Sequence, residues 1–173
     1  QLRAAGGEYG AATGRPRRVG GFDVVASRYG TKMQGCSYVA LTKLDVLSYM
    51  EKIPVCTAYE IDGNRVDTFP SGIEELKCAK PIYEYLPGFQ CDISGCRTVD
   101  DLPKAALEYI RYIEKEIECP IKYVSVGAER DAYITMFLGE KERCRIRKLL
   151  ILNFGGQYDQ FDCQEGEGMQ RLL

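Results

Sequence analysis

An α/β fold is predicted by three features of the chain. Two apolar strand-like runs, "SYVAL" at 37–41 and "IKYVSVG" at 121–127, each exit into a short polar loop. The clearest amphipathic helix of the chain lies between them, and a β-hairpin signal precedes it. Strands and helices therefore alternate along the sequence instead of segregating, which is the pattern of a mixed α/β layer architecture with flanking helices.

The elements follow in order. Phe22, Val25, Ala26, Tyr29 and Met33 fall at helical spacing, with Gly35 placed to cap the C-terminus. "SYVALTKLDVL" reads as a buried strand running into a loop. "VCTAYEI" and "RVDTF" flank Asp62-Gly63-Asn64, a hairpin turn. "GIEELKCAK" is a short helix stopped by Pro81, and "PIYEYLPGF" is extended up to a Pro87-Gly88 turn. Asp100 or Asp101 is expected to cap the main helix, with Pro103 in its first turn. Ala106, Ile110, Ile113 and Ile117 form its core face, while Glu108, Arg111, Glu114 and Lys115 face water. The second buried strand, "IKYVS", ends at Gly127. In open α/β sheets ligands sit at the carboxyl ends of strands, so Lys43 and Gly127 mark the expected site.

Composition narrows the function. The 173 residues carry 23 Lys and Arg against 25 Asp and Glu, which argues against a general nucleic-acid surface. The charge is uneven: residues 1–35 hold Arg3, Arg15, Arg17, Arg18, Arg28 and Lys32 against only Glu8 and Asp23. A local anion site is the better reading. No apolar run approaches the ~20 residues that span a bilayer, so no membrane association is expected. The eight cysteines are scattered without a Cys-x-x-Cys pair, and there is no histidine to complete a Cys/His zinc site. They read as reduced packing residues of a cytoplasmic protein. Any imidazole needed for catalysis must come from outside this chain.

Two motifs carry chemistry. In Thr42-Lys43-Leu44-Asp45, a carboxylate just past a strand can accept both donors of guanine's edge, N1–H and the exocyclic amine. Adenine lacks the second donor, so Asp45 would discriminate between the bases. The aliphatic stem of Lys43 would cover the base. In "GAATGRPRR", Gly10 and Gly14 let the backbone approach a ligand with N–H groups facing an anion. Arg15 and Arg17 alternate, so an extended loop would project both guanidinium forks to one side, beside the Thr13 hydroxyl. Taken singly, each motif also fits a solvated surface turn.

The ordered series "GGEYGAATGRPRRVGGFD", "LTKLDVL", "VCTAYEIDG", "PIYEYLPGF", "DLPKAALEYI" and "VSVGAERD" resembles the C-terminal part of adenylosuccinate synthetase over residues 1 to about 136. The resemblance implies a P-loop-related α/β enzyme of the cytoplasm, usually a homodimer. It joins IMP to L-aspartate with GTP as co-substrate and Mg2+ as cofactor, through a 6-phosphoryl intermediate. It also implies a substrate loop at Ala11, Ala12, Thr13, Gly14, Arg15, Pro16 and Arg17. Within that loop Arg15 also reaches IMP and Arg17 also reaches GTP. Lys43, Leu44 and Asp45, with Ser125, Val126 and Gly127, would hold guanine. The family's catalytic aspartate and histidine, its glycine-rich phosphate loop and its Mg2+ ligands match nothing here, so no catalytic residue is assigned and the chain alone is expected to be inactive. A GTP-binding module without catalysis is the alternative. The chain departs from the family at Ala12 (commonly threonine), at Gly21 (usually tryptophan) and in "GAER" at 127–130 (usually "GPDR").

The last block differs. "KLLILNFGGQYDQ" resembles the opening strand of the GMP synthase amidotransferase domain. With codons chosen to suit, one T inserted after the codon for Gln160 converts that family's usual continuation, Q-L-I-A-R-K-V-R-E-C-N-V-Y, into Gln160–Leu173. Residues 137–173 are therefore expected to be a non-native or read-through tail that packs poorly. The plain reading is a final apolar strand, Leu149 to Phe154, on the domain edge.

Overall fold

The computed structural model describes residues 1–136, 149–152 and 158–161. Two sheets share a core with helices between them. The first sheet is built on β3 (Lys52–Ile61), which pairs in parallel with the short β1 (Phe22–Asp23) and antiparallel with β4 (Asn64–Val66) and β5 (Lys80–Pro87). The second runs β7-β6-β2-β8-β9. In it β2 (Tyr38–Leu41) is parallel to both β6 (Ile121–Ser125) and β8 (Leu149–Leu152), whereas β7 (Tyr133–Thr135) and β9 (Tyr158–Phe161) close the edges antiparallel. All four residues of β2 are buried, as a central parallel strand covered on both faces requires. The mixed α/β architecture predicted from the alternation is the one observed.

The hairpin forms where Asp62-Gly63 places it: both residues have positive φ, 51° and 78°, matching the twist of the strands they join. Its second strand is shorter than "RVDTF", ending at Val66. Helix α1 (Leu2–Ala5) leads into the arginine loop, and α3 (Ile73–Cys78) precedes β5.

The main helix, α4 (Lys104–Ile117), buries Ala106, Ile110, Ile113 and Ile117 as expected, together with Tyr109. Each fully buried large apolar side chain contributes about 1.5–3 kcal/mol. Its start differs from the expectation. Asp101 belongs to a separate 3-10 turn, Val99–Asp101, where it completes a capping box with Thr98, and Pro103 occupies the cap position of α4. The carboxylate finds nearer donors in the Arg97 and Thr98 amides, at 3.1 and 2.8 Å.

Helix α2 (Val24–Gln34) also turns a different face inward. Asp23 caps it by accepting from Ala26 N at 3.0 Å, and Gly35 closes it in the left-handed conformation. The buried residues are Val24, Val25, Ser27 and Thr31, whereas Tyr29 and Met33 are exposed. The reason is close contact with α4: Thr31 Oγ1 donates to Arg28 O and Ile117 O, and Arg28 Nε donates to Glu116 O at 2.6 Å. Small residues let the two helices approach, so large apolar ones are turned out.

Strand β1 depends on Gly21. A Cβ there would lie 2.5 Å from Pro54 O and 3.0 Å from Tyr83 Cε1, so this backbone has no room for a side chain at the position. Gly21→Ala is expected to cost about 1–3 kcal/mol by overpacking, read as a lower denaturant midpoint. An unchanged midpoint would show that β1 yields freely.

Among the described residues six cysteines are free thiols; Cys56 and Cys119 are buried as a packing role requires, whereas Cys78 and Cys91 are exposed. Burial pushes the Cys119 thiol up to about 12 and that of Cys56 to about 11, leaving both unreactive. Cys144 and Cys163 lie outside the described residues. Within residues 137–173, residues 149–152 pair in register with Tyr38–Leu41 on one side and with Tyr158–Phe161 on the other. The rest of that stretch lies outside the described residues. Among the described residues no helix is long and apolar enough to cross a membrane.

Candidate functional site

Because β2 and β6 are parallel neighbours, with Leu41 opposite Val124, the loops that follow them leave the sheet at the same end. This brings Lys43, Leu44 and Asp45 beside Ser125, Val126 and Gly127, two segments that lie about eighty residues apart in sequence. Lys43 turns the chain in the left-handed conformation, φ 60°, and starts a 3-10 turn, Leu44–Leu47. Leu44 and Leu47 anchor that turn in the core. Val126 is wholly buried, and its N–H donates to Ala132 O at 2.9 Å. Leu44 and Val126 therefore present only backbone to a ligand. Ser125 Oγ donates to Gly127 O at 3.0 Å. A Cβ on Gly127 would lie 3.0 Å from the Ala132 side chain, so a glycine lets the loop fold tightly here.

Asp45 stands out electrostatically. Its Oδ1 is buried and has no hydrogen-bond partner. Burial raises its pKa above the ordinary carboxylate value, with the backbone N–H groups of Asp45 and Val46 and the charge of Lys43 pulling the other way. An unpaired buried acceptor is costly, so it marks either a strained position or one that expects a donor.

The arginine loop is not extended as the alternation implied. Tyr9 and Pro16 form an antiparallel bridge, Gly10 N donates to Arg15 O and Gly14 N donates to Gly10 O, both at 2.8 Å. Thr13 Oγ1 accepts from Arg15 N at 3.3 Å, and Gly14 takes φ 64°. The amides of Gly10 and Gly14 thus close the loop on itself and do not face an anion. A compact tip satisfies its own polar groups, which an extended loop would leave to water. Residues 11–18 are exposed, Ala12 included.

The two motifs meet at a residue that the motifs alone did not single out. Glu8 is nearly buried; its Oε1 accepts from Lys43 Nζ and its Oε2 from Arg17 Nη1 at 3.3 Å. Lys43 Nζ also donates to Gly6 O at 3.0 Å. Glu8, one of only two acids among the arginines of residues 1–35, was the signal available in the sequence. Among the described residues no three Asp, Glu, Cys or His side chains converge as metal ligands.

A sequence model of the adenylosuccinate synthetase family matches residues 1–134. The adenylosuccinate synthetase of Synechococcus sp. (strain CC9902) is 48% identical over 136 residues, covering 79% of this chain and 31% of that protein. That of Trichlorobacter lovleyi is 49% identical over 131 residues, covering 76% of this chain and 30% of its own length. The fully ligated structure from Plasmodium falciparum superposes with a TM-score of 0.73 at 36% identity, over 79% of this chain and 33% of that one. The chain thus spans about a third of the length of the relatives it matches. On the strength of that match, and of the α/β architecture it shares with the Plasmodium structure, the chain belongs to the adenylosuccinate synthetase family.

Proposed function

We infer that residues 1–136 form the guanine-reading and substrate-gripping part of a GTP-dependent ligase that joins IMP to L-aspartate. The observation that carries this reading is the buried, unpaired Asp45 Oδ1 at the carboxyl end of two parallel strands. Guanine's edge presents adjacent donors, one of which such an unpaired oxygen can accept. Lys43, Leu44, Ser125, Val126 and Gly127 frame the base, the last four chiefly through backbone. The loop Ala11–Arg17 closes on aspartate, with Arg15 also on IMP and Arg17 also on GTP. Phosphoryl transfer needs mainly positioning and charge neutralisation, which arginine forks on a self-contained loop provide. Mg2+ would be held by the rest of the complete enzyme, a cytoplasmic homodimer.

Titrating the full chain with GTP and with ATP tests the guanine site. GTP is expected to bind at least about tenfold more tightly, the ratio that 1.4 kcal/mol gives. Equal affinities, or no binding of either, would remove the site.

Arg15→Lys is not a conservative change, because an ammonium cannot reproduce a planar bidentate fork. The effect is measurable in a chimera that completes the chain with the rest of the Synechococcus protein. Loss of one charge-assisted hydrogen bond, about 1.5–3 kcal/mol, predicts a 10- to 150-fold fall in kcat/KM for aspartate and IMP. The GTP kinetics should change less. Wild-type kinetics with altered stability alone would make the loop structural.

The match to the family ends at residue 134, which supports assigning residues 137–173 to a tail foreign to the ligase. Resequencing the locus is expected to reveal a stop codon soon after Met136 and a separate downstream start. A continuous frame, with the fused polypeptide detected by mass spectrometry, would overturn this.

A further inference from the structure

We propose that Glu8 is a positioning residue that couples the guanine site to the substrate loop, so that a nucleotide at Asp45 and closure of residues 10–18 reinforce each other. The proposal rests on the guanine reading above, and its geometry is independent of it. The carboxylate of Glu8 divides its two oxygens between the cations of the two motifs, Lys43 on one and Arg17 on the other. Glu8 also holds the loop by its backbone, its carbonyl accepting from Arg17 N at 3.0 Å. On the far side Arg3 Nε donates to Arg17 O at 2.7 Å. Arg17 is thus fixed at its amide, its carbonyl and its guanidinium, although its side chain remains 49% exposed and has donors left for an anion.

On the other arm, Lys43 is gripped at its tip by Glu8 and Gly6 O while its backbone starts the turn that carries Asp45. A base seated on Asp45 and under the Lys43 stem restricts that side chain. The restriction passes through one buried carboxylate to Arg17. Linkage requires the reverse as well: an anion that holds Arg17 in place must tighten guanine binding. A buried carboxylate shared by two cations transmits such a restriction because neither partner can leave without stranding charge.

Trypsin reads the loop directly, since cleavage after Arg17 and Arg18 requires those side chains to be released. Proteolysis tracks the open population when opening is fast. In the full chain, saturating GTP is expected to slow loop cleavage by about fivefold or more, the lower end of ordinary coupling. Glu8→Gln keeps the shape and removes the charge; it should speed basal cleavage and bring the protection ratio near one, with GTP still bound. Glu8→Asp should recover part of the protection. A Glu8→Gln chain that GTP protects as well as the parent overturns the proposal.

Should GTP bind to no form of the chain, the guanine reading fails and the basal rates decide the coupling. Lys43→Met is then expected to accelerate loop cleavage about fivefold, a coupling of the ordinary size. The double variant with Glu8→Gln should cleave no faster than either single one. An unchanged rate in Lys43→Met, or two effects that multiply independently, overturns the link. The lysine variant also decides the matter if Glu8→Gln does not fold.

Discussion

Leu44→Ala is expected to destabilise the chain by about 2–5 kcal/mol, the cost of emptying a fully buried leucine site. Leu44 is wholly buried in the main core among Leu41, Leu47 and Ile53. It sits between the two residues that the guanine reading needs, so the same side chain that fills the core also pins the turn carrying Lys43 and Asp45. Against a typical total of about 5–15 kcal/mol the loss is large, and it will appear as a lower denaturant midpoint at unchanged slope. Leu44→Met separates packing from recognition. A volume-conserving swap should cost less than about 1.5 kcal/mol and leave the GTP-to-ATP affinity ratio as it was. If the methionine variant altered that ratio without altering stability, Leu44 would touch the base with its side chain, and the burial argument would be wrong.

That distinction bears on what could be read from the letters. "TKLD" and "VSVG" were legible as neighbours because two strand exits in a parallel sheet must share an end, and β2 and β6 prove to be parallel neighbours. The same letters do not say which residues present side chains and which present backbone. Leu44 and Val126 are in the motif because the fold needs them beneath it. Helix α4 was legible along its core face because four apolar residues repeat at helical spacing and do pack inward. The face of α2 was not, because contact with α4 favours Ser27 and Thr31 over the larger Tyr29 and Met33, and periodicity weighs size and hydrophobicity alone. The shape of the arginine loop was hidden for a similar reason. Alternating arginines imply an extended strand only if nothing closes the loop, and the Gly10–Arg15 hydrogen bond closes it. Glu8 could be seen as an isolated acid. Its pairing with Lys43, thirty-five residues away, exists only once the end of α1 packs against the turn after β2.

Asp45→Asn is expected to have effects of opposite sign on recognition and on stability, which makes it the sharpest test of the guanine site. On the guanine reading, both donors of guanine's edge meet one carboxylate in the parent chain. In the variant one acceptor becomes an N–H group facing another N–H, which should cost about 1.5–3 kcal/mol of preference for GTP over ATP. Stability should move the other way. Burial raises the folded-state pKa of Asp45 above its unfolded value, so the folded protein binds the proton more readily than the unfolded chain. Such a group favours folding below the unfolded pKa, and that contribution is lost as pH rises through the raised folded pKa. At neutral pH the ionised Asp45, with Oδ1 unpaired, therefore weighs against the fold. Removing the charge should leave the variant at least as stable as the parent near pH 7, and any advantage should shrink as pH falls into the ordinary carboxylate range. Thermal melts across pH, paired with GTP and ATP titrations, read both effects. A variant that keeps its GTP preference shows that Asp45 does not read the base. One that loses stability at neutral pH shows that the carboxylate is a structural acceptor with a donor of its own. A carboxylate oxygen buried without a partner, at a cost to the fold, makes sense where a ligand supplies the donor.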